Sequence, residues 1–80
     1  MTFEEVYNNY IDIVFNYLRQ RIKDSYLIED ILQETFYAVY RNLPKLKKKD
    51  SIKSWILSIA HNKMIDKLRK KLMKSFQKLR

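Results

Sequence analysis

Eighty residues carry 17 Lys and Arg against 9 Asp and Glu, a formal net charge of +8, with 46% hydrophobic residues, no Gly and no Cys. That length holds one small core; zero Cys excludes disulfides, thiolate metal sites and Cys nucleophiles, and zero Gly excludes phosphate-cradling loops of the P-loop and dinucleotide kinds. No apolar run approaches the ~20 residues of a membrane span, and an N-terminus with Glu4 and Glu5 and no apolar segment is unlike a signal peptide, so the expected compartment is the cytoplasm.

Thr2 and Glu5 have the spacing of a capping box, and Phe3 opens an apolar series. Phe3, Val6, Tyr7, Tyr10, Ile11, Val14, Tyr17 and Leu18 share one helical face, while Glu5, Asn9, Asp12, Asn16 and Arg19 lie opposite. The spacing predicts a first helix over 3–22. Asp24 is the expected cap of a second helix, which buries Ile28, Ile31, Leu32, Thr35, Phe36, Val39 and Leu43 and runs to residue 42. Pro44 stops it, because proline disfavours helical geometry in the residue before it. After a lysine-rich loop, Asp50 or Ser51 caps a third helix from residue 52 almost to the end. Its apolar residues Ile52, Trp55, Ile56, Ile59 and Ala60 share one face; Met64, Ile65, Leu68 and Leu72 are expected roughly opposite. The expected fold is all-α, a compact bundle of three long helices, the last extended and basic. Residues 1–74 are expected to form the domain and 75–80 a basic tail or the start of a linker.

The charge is divided. Residues 1–44 hold four basic and seven acidic side chains, a balance of −3; residues 45–80 hold thirteen and two, a balance of +11. Such a split predicts two surfaces with different partners. On helix two, Asp30, Gln33, Glu34, Tyr37 and Arg41 line an outer face, an aromatic and an arginine in a polar frame of the kind interfaces use. On helix three, Asn62, Asp66 and Arg69 share a face. Asn and Arg are common readers of base edges, and Lys63, Lys67 and Lys70 flank them as candidate phosphate neutralisers. Trp55 lies beside Ile52, Ile56 and Ile59 and reads as core; His61 has no partner for a metal site and reads as a surface or packing residue. Leu68, Leu72, Phe76 and Leu79 form a last stripe beside Lys67, Lys70, Lys71, Lys74 and Lys78, suited to a partner helix or a membrane surface. No catalytic constellation is present, so a binding protein is expected, with no enzyme activity, no cofactor, no metal and no small-molecule substrate.

The string Phe3-Glu4-Glu5-Val6-Tyr7 with Tyr10, then residues 28–36 (Ile-Glu-Asp-Ile-Leu-Gln-Glu-Thr-Phe), then Trp55-Ile56, Ile59-Ala60, Asn62, Asp66 and Arg69, resembles region 2 of bacterial sigma factors, the extracytoplasmic-function group above all. The resemblance covers most of residues 3–70. It implies transcription initiation by a helical domain that docks on core RNA polymerase and opens the promoter minus-ten element. It places Asp30, Gln33 and Glu34, with Tyr37 and Arg41 as neighbours, on the clamp helices of the β′ subunit. It places Lys45, Leu46, Lys47, Lys48, Lys49, Asp50 and Ser51 around a flipped non-template base, with Asn62 on the DNA side; Lys63, Arg69 and Lys70 join Asn62 as DNA-side candidates from the helix-three face alone. Extruding a base costs a few kcal/mol, which contacts to that base must offset.

Two departures stand out. Ile28 occupies a position where the family usually has a small residue, and the loop is a lysine run with Pro44 and Leu46, whose base preference is not readable. Region 4, the family's minus-thirty-five reader, is absent from these residues. The chain is then either the front of a longer protein or a region-2-only subunit that works with a separate region-4 co-sigma polypeptide. The Met1 start and the amphipathic end near Phe76 favour the second. An anti-sigma factor is a further candidate partner. The competing reading is a freestanding basic helical DNA-binding or adaptor protein, independent of polymerase. A helix-turn-helix fits poorly, since its helices are joined by a three-to-four-residue turn.

Overall fold

In the computed structural model, which describes residues 1–47 and 51–78, the chain folds into α1 (Phe3–Arg19), α2 (Ser25–Asn42) and α3 (Ile52–Lys78), with one 3-10 turn at Leu43–Lys45. The caps expected for α1 and α2 are made. Thr2 Oγ1 accepts from the Glu5 backbone N–H at 3.2 Å and donates to Glu5 Oε1 at 3.2 Å. Asp24 Oδ1 accepts from the backbone N–H of Tyr26 at 3.0 Å and of Leu27 at 3.3 Å. The backbone N–H groups of Glu5, Tyr26 and Leu27 are first-turn amides with no partner inside their helices, and these side-chain oxygens satisfy them.

α1 ends three residues before the expected Ile22. The backbone N–H groups of Arg21 and Ile22 both donate to the Leu18 carbonyl, which closes the helix in a tight turn. The Arg21 guanidinium donates to the Tyr17 carbonyl at 2.8 Å and lies 3.7 Å over the Tyr17 ring, covering another open carbonyl. Ile22 stays in the core although it has left the helix. Pro44 ends α2 as expected and sits in the first positions of the 3-10 turn, where its missing N–H costs nothing.

α1 and α2 run antiparallel. Phe3 meets Tyr40 edge-on at 5.4 Å, and Tyr7 meets Phe36 at 5.1 Å. α3 returns antiparallel to α2, since Trp55 and Ile59 lie by Ala38 near the end of α2 while Lys71 reaches Asp24 at its start. The core joins Val6, Val14 and Leu18 of α1, Ile28, Ile31, Phe36 and Val39 of α2, and Ile52, Ile56, Ala60 and Met64 of α3. Trp55 is half-buried against it, as its neighbours suggested.

The expected change of side along α3 is corrected at Met64. It is buried, one more step in the four-residue series Ile52, Ile56, Ala60, whereas Ile65, Leu68 and Leu72 are exposed. A four-residue step advances a helix by little more than one turn, so the series drifts only slowly around the axis and stays on α2. With 27 residues α3 is about 40 Å long, and its end extends beyond the start of α2.

One core position is chemically odd. Thr35 is fully buried, and its hydroxyl has no hydrogen-bond partner among the described residues. A buried hydroxyl without a partner costs about 1–3 kcal/mol. Thr35→Val keeps the shape and removes that oxygen, so it is expected to raise the unfolding free energy by about 1 kcal/mol. An increased urea midpoint at unchanged slope checks this; a decrease shows that the hydroxyl has a partner in solution.

Candidate functional site

Two sets of side chains were expected, one on α2 and one on the loop and α3. On α2, Asp30, Gln33, Tyr37 and Arg41 are exposed and Glu34 is half-buried. Tyr37 is 63% exposed, as an aromatic without a core partner should be, and the Arg41 guanidinium stands 5.9 Å from its ring centroid. That distance is at the outer edge of a cation–π contact.

Asp30 and Glu34 are not a plain solvated pair. Both carboxylates hold Lys67 of α3: its Nζ lies 2.8 Å from Asp30 Oδ2 and also pairs with Glu34 Oε2. The Lys67 side chain is 25% exposed. The hydrogen bond to Asp30, and next the one to Glu34, hold its ammonium well above the ordinary lysine range. A further turn along, Lys71 Nζ is 3.6 Å from Asp24 Oδ2. The acidic side of α2 and the basic end of α3 thus face each other. This corrects the expectation that Lys67 flanks Asn62 and Arg69 as a phosphate neutraliser: it points to α2 instead. Lys67 follows Met64 by three positions and so continues the core-facing stripe, where the opposing surface has changed from apolar to acidic.

Further round α3, Asn62, Arg69 and Lys70 are exposed, while Lys63 is half-buried and lies on the α2 side near Glu34. Asp66 lies among them, 3.2 Å from Lys70 Nζ and 3.5 Å from Arg69 Nη2. The hydrogen bond and charge of Lys70, with a smaller contribution from Arg69, hold the Asp66 carboxyl below its usual range. This face keeps a positive balance with one anion inside it.

In the loop, Lys45 and Lys47 are exposed, Leu46 is half-buried against the core, and Ser51 is exposed just before α3. Lys48, Lys49 and Asp50 lie outside the described residues. The structure brings part of the two sets together. Glu34, Tyr37, Arg41, Asn42, Lys45 and Lys63 line one depression between α2 and α3. A neighbouring hollow shares Asn42 and Lys45 and continues to Leu46, Trp55 and Ile59.

Sequence reasoning passed over the double role of Lys67 and the partner of His61. The Tyr17 hydroxyl and His61 Nδ1 are 2.8 Å apart, which ties the end of α1 to the middle of α3. Their distance in sequence left no local signal. Among the described residues, no group of three or more His, Cys, Asp or Glu could hold a metal ion, and no helix is long and apolar enough to cross a membrane.

The Sigma-70 region 2 family profile matches residues 6–72, which include both sets of side chains. The ECF RNA polymerase sigma factor SigM of Bacillus subtilis is 37% identical over 70 residues, 88% of this chain and 42% of that protein. The ECF RNA polymerase sigma factor SigX of Bacillus subtilis is 35% identical over 69 residues, 86% of this chain and 36% of that protein. A probable RNA polymerase sigma factor of Haemophilus influenzae is 34% identical over 58 residues, 72% of this chain and 30% of that protein. The chain therefore spans less than half the length of these relatives. No solved structure matches it.

Proposed function

This chain belongs to the Sigma-70 region 2 family, and from that premise we propose that it serves transcription initiation as the region-2 part of a sigma factor. It docks on core RNA polymerase through the α2 face of Asp30, Gln33 and Glu34, with the clamp helices of the β′ subunit as the receiving surface. It reads and opens the promoter minus-ten element with residues 45–51 and the outer face of α3, capturing a flipped non-template base. A region 4 comes from more of the same polypeptide or from a separate subunit. The observation that carries this reading is the family match over residues 6–72, which takes in the acidic α2 face and the basic α3 face at once. The charge division supports it. Polymerase contact needs a surface distinct from the one DNA occupies, and the acids collect on α2 while Lys45, Lys47, Asn62, Arg69 and Lys70 stay exposed elsewhere.

Retention of purified bacterial core RNA polymerase on the immobilised chain tests the docking; lack of retention removes it. The DNA side has its own test. Lys45→Ala, Lys47→Ala and Lys63→Ala together are expected to spare docking. Each lysine that neutralises a phosphate contributes roughly 0.7–0.9 to the slope of log affinity against log salt, so the slope of promoter binding by the polymerase complex falls by about 2 to 3. An unchanged slope takes these lysines off the DNA. Strong salt-sensitive binding of random duplex by the chain alone supports a freestanding DNA-binding protein instead.

A further inference from the structure

We infer that Lys67 is a positioning residue for polymerase docking: it reaches across from α3 and fixes the Asp30 and Glu34 carboxylates in the arrangement that core polymerase engages. This rests on the docking surface proposed above.

The geometry gives three reasons. Asp30 and Glu34 are four residues apart on one helix, where like charges repel and drive the side chains apart. One ammonium between them removes that repulsion and holds both. Lys67 also takes one oxygen from each acid, Asp30 Oδ2 and Glu34 Oε2. An ionised carboxylate accepts at both oxygens, so a basic partner can bind the outer oxygens while Lys67 holds the inner ones. Finally, Lys67 is itself placed. It follows the buried Met64 on the stripe that seats α3 on α2, and its ammonium is held by two carboxylates of that helix. Holding binding groups in their bound arrangement before the partner arrives lowers the entropy lost on association.

A neighbouring ion pair separates positioning from simple tethering. Lys71 also joins α3 to α2, through Asp24, but does not touch Asp30 or Glu34. Four variants of the full chain are compared by affinity for purified core RNA polymerase at fixed ionic strength, with circular dichroism and melting as controls of the fold. Lys67→Met keeps the stem and removes the charge; it is expected to weaken binding about fivefold to tenfold. Lys67→Arg keeps a cation able to meet both acids and is expected to stay within about twofold of the parent. Lys71→Met loosens the same helix and is expected to stay within about twofold as well. Asp30→Asn with Glu34→Gln removes the docking charges and tests the underlying reading by itself.

Loss in Lys67→Met that Lys67→Arg restores and Lys71→Met does not copy supports the inference. Equal losses in Lys67→Met and Lys71→Met reduce Lys67 to a tether and overturn it. Tighter binding by Lys67→Met also overturns it, since the ammonium then competes with polymerase for the acids. If Asp30→Asn/Glu34→Gln binds like the parent, it is the docking surface that falls. A melting temperature too low for any of these measurements in Lys67→Met, with Lys67→Arg normal, shows a purely structural ion pair and overturns it too.

Discussion

A chain carrying Asp30→Ala, Gln33→Ala and Glu34→Ala is expected to lose retention of core RNA polymerase while keeping its helical circular dichroism. The affinity should fall about a hundredfold, since a few central residues dominate an interface. The fold survives for local reasons. Ala has the best helix propensity, and removing both acids also removes an i, i+4 repulsion inside α2. The core residues of α2 nearest them, Ile31, Thr35 and Phe36, are untouched. What the change leaves behind is Lys67 without its two anions. Its long stem lets the ammonium turn out to water, so the group is not stranded as a buried charge. Melting should drop modestly and helix content hardly at all. A pull-down beside the parent chain reads the docking. Equal retention by both would move the polymerase surface off this face, with the depression around Tyr37, Arg41 and Lys45 as the next place to look. A collapse of helix content would show that Lys67 cannot be solvated and that α3 depends on these acids for its place.

That outcome turns on a feature only half legible in the sequence. The helices could be read because their signals are local: Thr2 and Asp24 cap, Pro44 stops, and the apolar spacing gives the buried faces. The candidate face on α2 was legible in the same way, since Asp30, Gln33, Glu34, Tyr37 and Arg41 repeat at helical spacing. What occupies its edge was not. Lys67 is 33 residues from Glu34 in sequence, and a lysine among other lysines carries no mark of its partner. The slow drift of the four-residue series was the available clue. Followed from Ile52 through Ile56 and Ala60, it places Met64 inside, and a three-residue step that offsets the drift then brings Lys67 to α2. Reading the apolar residues of the helix end as one group, with Ile65, Leu68 and Leu72, hid it. The early end of α1 escaped for another reason: Arg21 caps the Tyr17 carbonyl through a long flexible side chain, which no spacing rule anticipates. The Tyr17–His61 contact depends on how α3 crosses α1, a property of the assembled bundle.

Ile56→Ala is expected to destabilise the domain by about 2–5 kcal/mol, through lost burial and the cavity left behind. Ile56 is fully buried in the middle of the α3 stripe, one turn from Ile52 and one from Ala60, where α3 meets α2. A domain of this size has only about 4–12 kcal/mol to lose, at the usual stability per residue. The change therefore takes a large share of the total, and it acts on both candidate surfaces together. Asn62, Arg69 and Lys70 sit on α3, and Lys67 brings α3 to the acids of α2, so loosening the α2–α3 seam displaces the proposed DNA and polymerase surfaces alike. This separates the core from the surface. The triple change on α2 should remove docking at nearly full helicity, whereas Ile56→Ala should weaken docking and promoter binding in parallel with the loss of folded chain. Urea unfolding with both binding assays on the same preparation reads the difference. Because a partner that binds only the folded state stabilises it by mass action, excess core polymerase should restore part of the helicity of Ile56→Ala and none of the docking of the triple variant. Selective loss of one binding activity in Ile56→Ala would show that the two surfaces do not share this seam.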